Sequence, residues 1–238
     1  LSSLHVTFAN HADWQTLGEA DFLLRMDSQY HWNNADYGSF DDFLAALSAR
    51  KRKAIRRERR DALANDISVE ILSGQDLREA HWDAFYGFYM DTGSRKWGTP
   101  YLNRTSFSLL GERLGDKIVL MLAKRAGRYI AGALNLKDDQ ALYGRYWGAI
   151  EDHPFLHFEL CYYQAIDYAI AHGLARVEAG AQGDHKLARG YLPAPTYSAH
   201  WISDPGFREA VAAYLERERA AIAENMDVLT EFGPFRKI

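Results

Sequence analysis

The segment 179–201, AGAQGDHKLARGYLPAPTYSAHW, gathers Gln182, Asp184, His185, Lys186, Arg189, Tyr191, Tyr197 and His200 into one short reach broken by three glycines and two prolines. Glu178 stands just ahead of it. A half-buried carboxylate, or an imidazole that titrates near neutrality, can take a proton from an amine. A phenol can return one to a leaving group. Lys186 and Arg189, three residues apart, suit a phosphate or carboxylate, the arginine through its bidentate fork. Together these groups suit proton transfer beside a bound anion, with Glu178 or His185 as the base. The same residues also fit structural roles. Glu178 could pair with an Arg or Tyr, His185 could bond the backbone, and Lys186 and Arg189 could be solvated on a short helix. Tyr197 and His200, at odd spacing on a strand, point to opposite faces.

Two other stretches carry chemistry. Tyr146 and Trp147 lie on a strand where they could line a cleft floor. His157 and Glu159 open the helix that follows, and with His153 they spell H-x-x-x-H-x-E. No cysteine or further acid completes a metal-ligand spacing, so no metal is expected. The stretch RKRKAIRRERR, residues 50–60, holds eight Lys or Arg against one Glu. Arg52, Arg56 and Arg59 fall on one helical stripe, and Lys53, Arg57 and Arg60 on the next. A solvated face is the ordinary outcome, yet like charges at i,i+4 oppose the helix. A polyanion such as tRNA, a CoA phosphate or an anionic lipid-linked pyrophosphate would relieve that repulsion.

The elements that must position these residues are readable from periodicity. A helix is predicted over 40–64, with Ser39 and Asp42 as a capping-box-like pair. A strand follows at 67–72, then helices at 76–92 and 104–115. Three strands at 117–125, 128–137 and 141–150 are joined by tight connections that suit hairpins. A helix at 157–172, strands at 175–181 and 196–203, and a closing helix from Pro205 complete the chain. This order predicts an α/β fold, an α+β mixed sheet.

The chain has 238 residues, 47% hydrophobic and 25% charged, which is ordinary for a globular protein. A net charge of −4 makes no global demand for nucleic acid. The one cysteine, Cys161, reads as a small hydrophobe on a helix face. No apolar run reaches the ~20 residues that span a bilayer, and the first residues lack the pattern of a signal peptide. A cytoplasmic location is the expectation.

The stretches YGRYWG (143–148), LHFELCYY (156–163), EAGAQGDHKLARGYLPAPTYSAHW (178–201) and the helix from Phe40 into RKRKAIRRERR together resemble the FemAB-like family of N-acyltransferases, labelled for peptidoglycan biosynthesis or recognition, within the GNAT superfamily. The resemblance implies a GNAT-like acyltransferase fold, with a split between the fourth and fifth strands that receives the acyl donor. It implies remnant strands of a preceding, truncated GNAT-like module at 1–38, a basic connecting helix at 39–65, and the acyltransferase domain with its C-terminal helix at 66–238. CoA-dependent relatives carry a Q/R-x-x-G-x-G/A loop after the fourth strand. Here that place reads WGAIEDHPFLHFE, with one glycine, an acidic pair and no Lys or Arg. This favours aminoacyl-tRNA over acyl-CoA as donor, with no cofactor held permanently. Tyr191 is a shifted counterpart of the family's acidic tyrosine, with His185 where an Asn is usual. The catalytic set expected is Glu178, His185 and Tyr191. Substrate contacts are expected from Tyr146, Trp147, His157, Glu159, Gln182, Lys186, Arg189, Arg52 and Arg56. The alternatives are a CoA-dependent N-acetyltransferase acting on a small amine, and a non-catalytic binding module of the same fold.

Overall fold

The computed structural model describes residues 1–95 and 100–236 and contains eight strands and eight α-helices among them. Contacts divide the chain into two compact units: Leu1–His31 with Gly180–Gly233, and Trp32–Ala179 with the residues from Pro234.

In the first unit, β8 (Leu192–Ile202) lies between β1 (Ser3–Ala9) and β2 (Leu23–Asn33), antiparallel to both; the last two residues of β2 belong to the second unit. Helices α1 (His11–Glu19) and α8 (Pro205–Glu231) complete it, α8 starting from the Asp204 cap and Pro205 as expected. The division differs from the partition at residues 38 and 65. The strand expected to close the acyltransferase domain pairs instead with the N-terminal strands. It also begins at Leu192 and not at 196. Pro193 and Pro195 are tolerated there because that stretch pairs only with β2, while β1 joins from Tyr197 onward.

The second unit is built on an antiparallel meander of β3 (Ser68–Leu72), β4 (Ile118–Arg125), β5 (Arg128–Lys137) and β6 (Ala141–Ala149). β7 (Arg176–Glu178) then adds parallel to β6, after a crossover helix. Hairpins need only tight turns, whereas a parallel neighbour needs such a crossover. This is the mixed α/β sheet that the order of elements predicts.

Six consecutive residues of β4 are buried, which requires cover on both faces. On one face Trp82, Phe85, Phe88 and Tyr89 of α4 (Glu79–Arg95) and Phe107 of α5 (Arg104–Leu114) pack on Ile118, Leu120, Leu122 and Leu134. Each such side chain contributes about 1.5–3 kcal/mol on burial. α4 comes so close to β6 that a Cβ at Gly148 would run into the Phe88 carbonyl oxygen.

The helix expected over 40–64 is two helices, α2 (Phe40–Ala46) and α3 (Ala49–Ala62), broken at Leu47. The C-terminal residues replace the lost helical bonds. Ser48 donates to the Pro234 carbonyl at 3.0 Å, and the Arg236 backbone donates to Ala46 at 3.0 Å. The crossover helix is likewise composite: α6 (Leu156–Phe158), a π-helical turn (Glu159–Tyr163) and α7 (Gln164–Ala171).

Candidate active site

β6 and β7 are paired only from Ala141–Arg176 to Tyr143–Glu178. β7 ends there, while β6 runs on to Ala149. Beyond Tyr143, therefore, the edge of β6 has no strand partner among the described residues. On its other edge the pairing with β5 shifts register between Leu134–Tyr146 and Asn135–Gly144, leaving Arg145 as the extra residue of a bulge. Bulges twist a strand away from its ladder and re-aim its groups, and they recur beside active sites. Glu178 is the last residue of β7, with a side chain 19% exposed, and Arg176 two positions back donates to it at 2.7 Å. Alternation along a strand puts the two on the same face. Opposite them, the Tyr143 hydroxyl donates to Asp138 at 2.6 Å. Burial and that carboxylate push the Tyr143 phenol up to about 12, and its hydrogen bond holds Asp138 below the usual carboxylate range. The mouth of the split thus holds a neutral phenol and an arginine-paired carboxylate.

A cavity of about 310 Å³ opens at the far end of β6. Trp147 and His157 form one wall, their rings 5.1 Å apart. Arg95 from α4 reaches in, donating to the Ala149 carbonyl at 3.0 Å and pairing with Asp91. Glu151 accepts from His153 and from Arg125 of β4, each at 2.9 Å, and these bonds lower its carboxyl, His153 first. Phe155 enters α6 in the left-handed region, at φ 63°. Each cation at this turn therefore comes from a distant strand or helix, and each meets an acid.

A family model described as FemAB-like, peptidoglycan biosynthesis/recognition, matches residues 1–237. The chain belongs to the FemAB-like family. Similar solved structures include FemX, at 13% identity and a TM-score of 0.63 over 89% of this chain and 74% of that one. The C-terminal domain of a lysylphosphatidylglycerol synthetase from Agrobacterium fabrum is similar at 9% identity and 0.63, over 92% and 72%. L-PGS from Bacillus licheniformis is similar at 10% and 0.62, over 89% and 72%. Identities this low speak for the fold alone. No curated protein matches.

In this FemAB-like chain the sequence candidates fall into both units. Glu178, Tyr146, Trp147 and His157 line the split or the cavity of the second unit. Tyr146 shares a hydrogen bond with the Tyr101 hydroxyl and packs 5.3 Å from Tyr89. Burial, then Tyr101, pushes its phenol up to about 12. Glu159 is corrected from substrate contact to structural acid. It is fully buried and receives Arg59 at 3.0 and 3.2 Å and Gln164 at 2.7 Å. Burial raises its carboxyl against the pull of Arg59. Arg59 also pairs with Asp167 at 2.7 Å and stacks over Phe40, so it leaves the outer stripe on which it was counted. Arg56 remains outside, paired with Asp41 at 2.9 Å, and Arg52 is half-buried.

Gln182, His185, Lys186, Arg189 and Tyr191 belong to the first unit. Gln182 and His185 are exposed. Lys186 and Arg189, expected to bind anions, are both buried in the 3-10 turn Asp184–Arg189. Lys186 donates to the Gly180 carbonyl at 3.0 Å and lies 5.7 Å from the Tyr30 ring centre, and Arg189 donates to the His185 carbonyl at 2.7 Å. Tyr191, expected as the acid, is fully buried. Partial burial, then Arg189 and Lys186, lowers the His185 imidazole. Among the described residues no group of three or more His, Cys, Asp or Glu could hold a metal ion.

Sequence reasoning missed Arg176, Tyr143, Asp138, Arg95 and Arg125. The i,i+2 pair Arg176 and Glu178 was legible as one face of a strand. Tyr143 and Asp138 lie five residues apart, and Arg95 pairs with Asp91 at i,i+4, so these too were within local reach, whereas Arg125 acts through Glu151, 26 residues on.

Proposed function

We propose that this FemAB-like chain transfers an acyl or aminoacyl group to the amine of a peptidoglycan precursor, with the reacting centre in the split between β6 and β7. One observation carries the reading: β6 outruns its parallel partner, bulges at Arg145, and leaves its backbone edge open beside Glu178. Open backbone N–H groups on a strand edge can stabilise the oxyanion of a tetrahedral intermediate. Glu178 takes the amine proton, and Arg176 orients its carboxylate. The amine nitrogen forms the amide bond, the ester or thioester bond to the acyl carbon breaks, and the proton passes to the departing oxygen or sulfur. The acidic turn after β6, with Glu151 and Asp152, is poor company for a pyrophosphate and supports aminoacyl-tRNA over acyl-CoA. A donor of that kind would place the reaction in the cytoplasm.

The test incubates the purified chain with aminoacyl-tRNA or acyl-CoA and an amine-bearing peptidoglycan precursor, and follows the amide product by mass spectrometry. Glu178→Gln is expected to lower turnover by about 10²–10⁴-fold with the fold intact. Product from acyl-CoA alone would favour the acetyltransferase alternative. Precursor binding without product from either donor would favour a binding module.

A further inference from the structure

α3 turns two unlike faces. Ile55 and Ala62 are buried, and Arg59 on the same side runs inward to Glu159 and Asp167. On the other side Arg50, Lys53, Arg56, Arg57 and Arg60 are all exposed. At 100° per residue these five fall within an arc of about 120°, and they span about 15 Å along the axis. The row differs from either stripe drawn from spacing alone, because burial selects the outward cations. Among the described residues two carboxylates answer it: Asp41 on Arg56 at 2.9 Å, and Asp61 shared by Arg57 at 3.2 Å and Arg60 at 2.9 Å. Arg50 and Lys53 have no carboxylate partner among the described residues. No acid stands in the first turn of the helix.

The net excess of positive charge belongs to this element. α3 holds eight Lys or Arg and two acids in a chain of net charge −4, which leaves −10 for everything else.

We infer that the outer face of α3 is a docking surface for an anionic lipid bilayer, held by charge and without insertion. A row on the crest of a helix meets a plane along one line, so a flat anionic surface can contact the cations together. The acidic remainder of the chain is screened beyond a Debye length of about 8 Å. A structured RNA suits this face less well. It would extend over neighbouring surface that includes the exposed Asp41 and Asp42. The row also offers no aromatic ring for stacking and no amide for base edges. The exposed apolar residues along the helix are Ala49 and Ala54, with Leu63 36% exposed at its C-cap, too little apolar surface to enter the acyl region, so attachment is electrostatic and reversed by salt. Docking of this kind would hold the protein at a membrane whether or not the transfer reaction above is correct.

Co-sedimentation with vesicles tests it, using phosphatidylcholine alone or with roughly 30% phosphatidylglycerol. The chain is expected to bind the mixed vesicles at about 0.15 M salt, where that screening holds, to leave them at high salt, and to ignore phosphatidylcholine. Each basic residue near an anionic surface is worth about a fivefold change in partition, so the double variant Arg50→Gln, Lys53→Gln should bind roughly 25-fold more weakly. Both side chains are exposed and unpaired with acids, and an unchanged melting temperature verifies that the variant folds. Equal binding to neutral vesicles would overturn the inference, and so would undiminished binding of the double variant. Bulk tRNA that strips the protein from mixed vesicles, and binds the double variant poorly, would overturn it in favour of a nucleic-acid surface.

Discussion

The loop 180–191 and the turn 150–159 read in opposite ways in sequence and in structure. The loop is dense in functional groups, yet its two cations are buried and bond the loop's own carbonyls, and Tyr191 is buried beside them. The turn lacks any Lys or Arg, yet it borders a cavity that receives Arg95. Nearby, Arg125 reaches Glu151 from β4, two strands away from β6. The difference teaches that residue density marks a segment which must hold an unusual backbone path. Gly183 at φ 100° and Gly190 at φ 90° show such a path, and ionic side chains are what secure it. An apparently empty turn can borrow its charge from elsewhere.

The comparison is most easily broken at Arg59. Arg59→Ala leaves the fully buried Glu159 without its bidentate partner, and denaturant unfolding should show a loss of about 3–5 kcal/mol. Because burial raises the Glu159 carboxyl, the native state binds its proton more tightly than the unfolded chain does. The loss should therefore be greatest at neutral pH and shrink as pH falls through the native pKa of Glu159. A pH-independent loss would mean that Glu159 is not the source.

A smaller effect is expected at Gly148. The added methyl of Gly148→Ala meets backbone at Phe88, which cannot swing aside, so α4 must shift at a cost of about 1–3 kcal/mol. The cavity wall at Trp147 should move with it, detectable as a changed indole NMR signal. Unchanged stability would show that the approach of α4 to β6 is looser than drawn.

The smallest effect sharpens the loop side. Lys186→Met removes the bond to Gly180 and should cost about 1–2 kcal/mol. The His185 ring, titrated by NMR, should show a pKa below the ordinary 6.5 and move upward in this variant, since Lys186 is one of the cations that lower it. A depressed histidine stabilises the fold above its unfolded pKa, and that contribution is lost as pH falls through the native value. A variant that keeps its stability but loses donor binding would return Lys186 to the role of ligand.

Much of the fold was legible because its signals are local. The Ser39 and Asp204 caps, the amphipathic pattern of α4 and the hairpin connections among β4, β5 and β6 all act within a few residues. The break at Leu47 was not legible, because its replacement hydrogen bonds come from Pro234 and Arg236. Nor was the place of β8, which is decided by strands at the other end of the chain. Of the site, Glu178 and the wall of Trp147 and His157 were visible as residue types, but the bulge at Arg145 was not. A bulge is a mismatch between two strands, and neither strand records it alone.

The sequence by itself determined most of the helices and strands, the FemAB-like membership and the net excess of positive charge in residues 50–60. These depend on composition, short-range periodicity and residue order. The tertiary structure alone decided which charged groups face water. Arg59 and Glu159 are one hundred residues apart in sequence, and only when α3 packs on the π-helical turn does one become a buried ion pair while Arg50 and Lys53 remain outside. Burial depends on long-range packing, and the free energy of a charge depends on its burial.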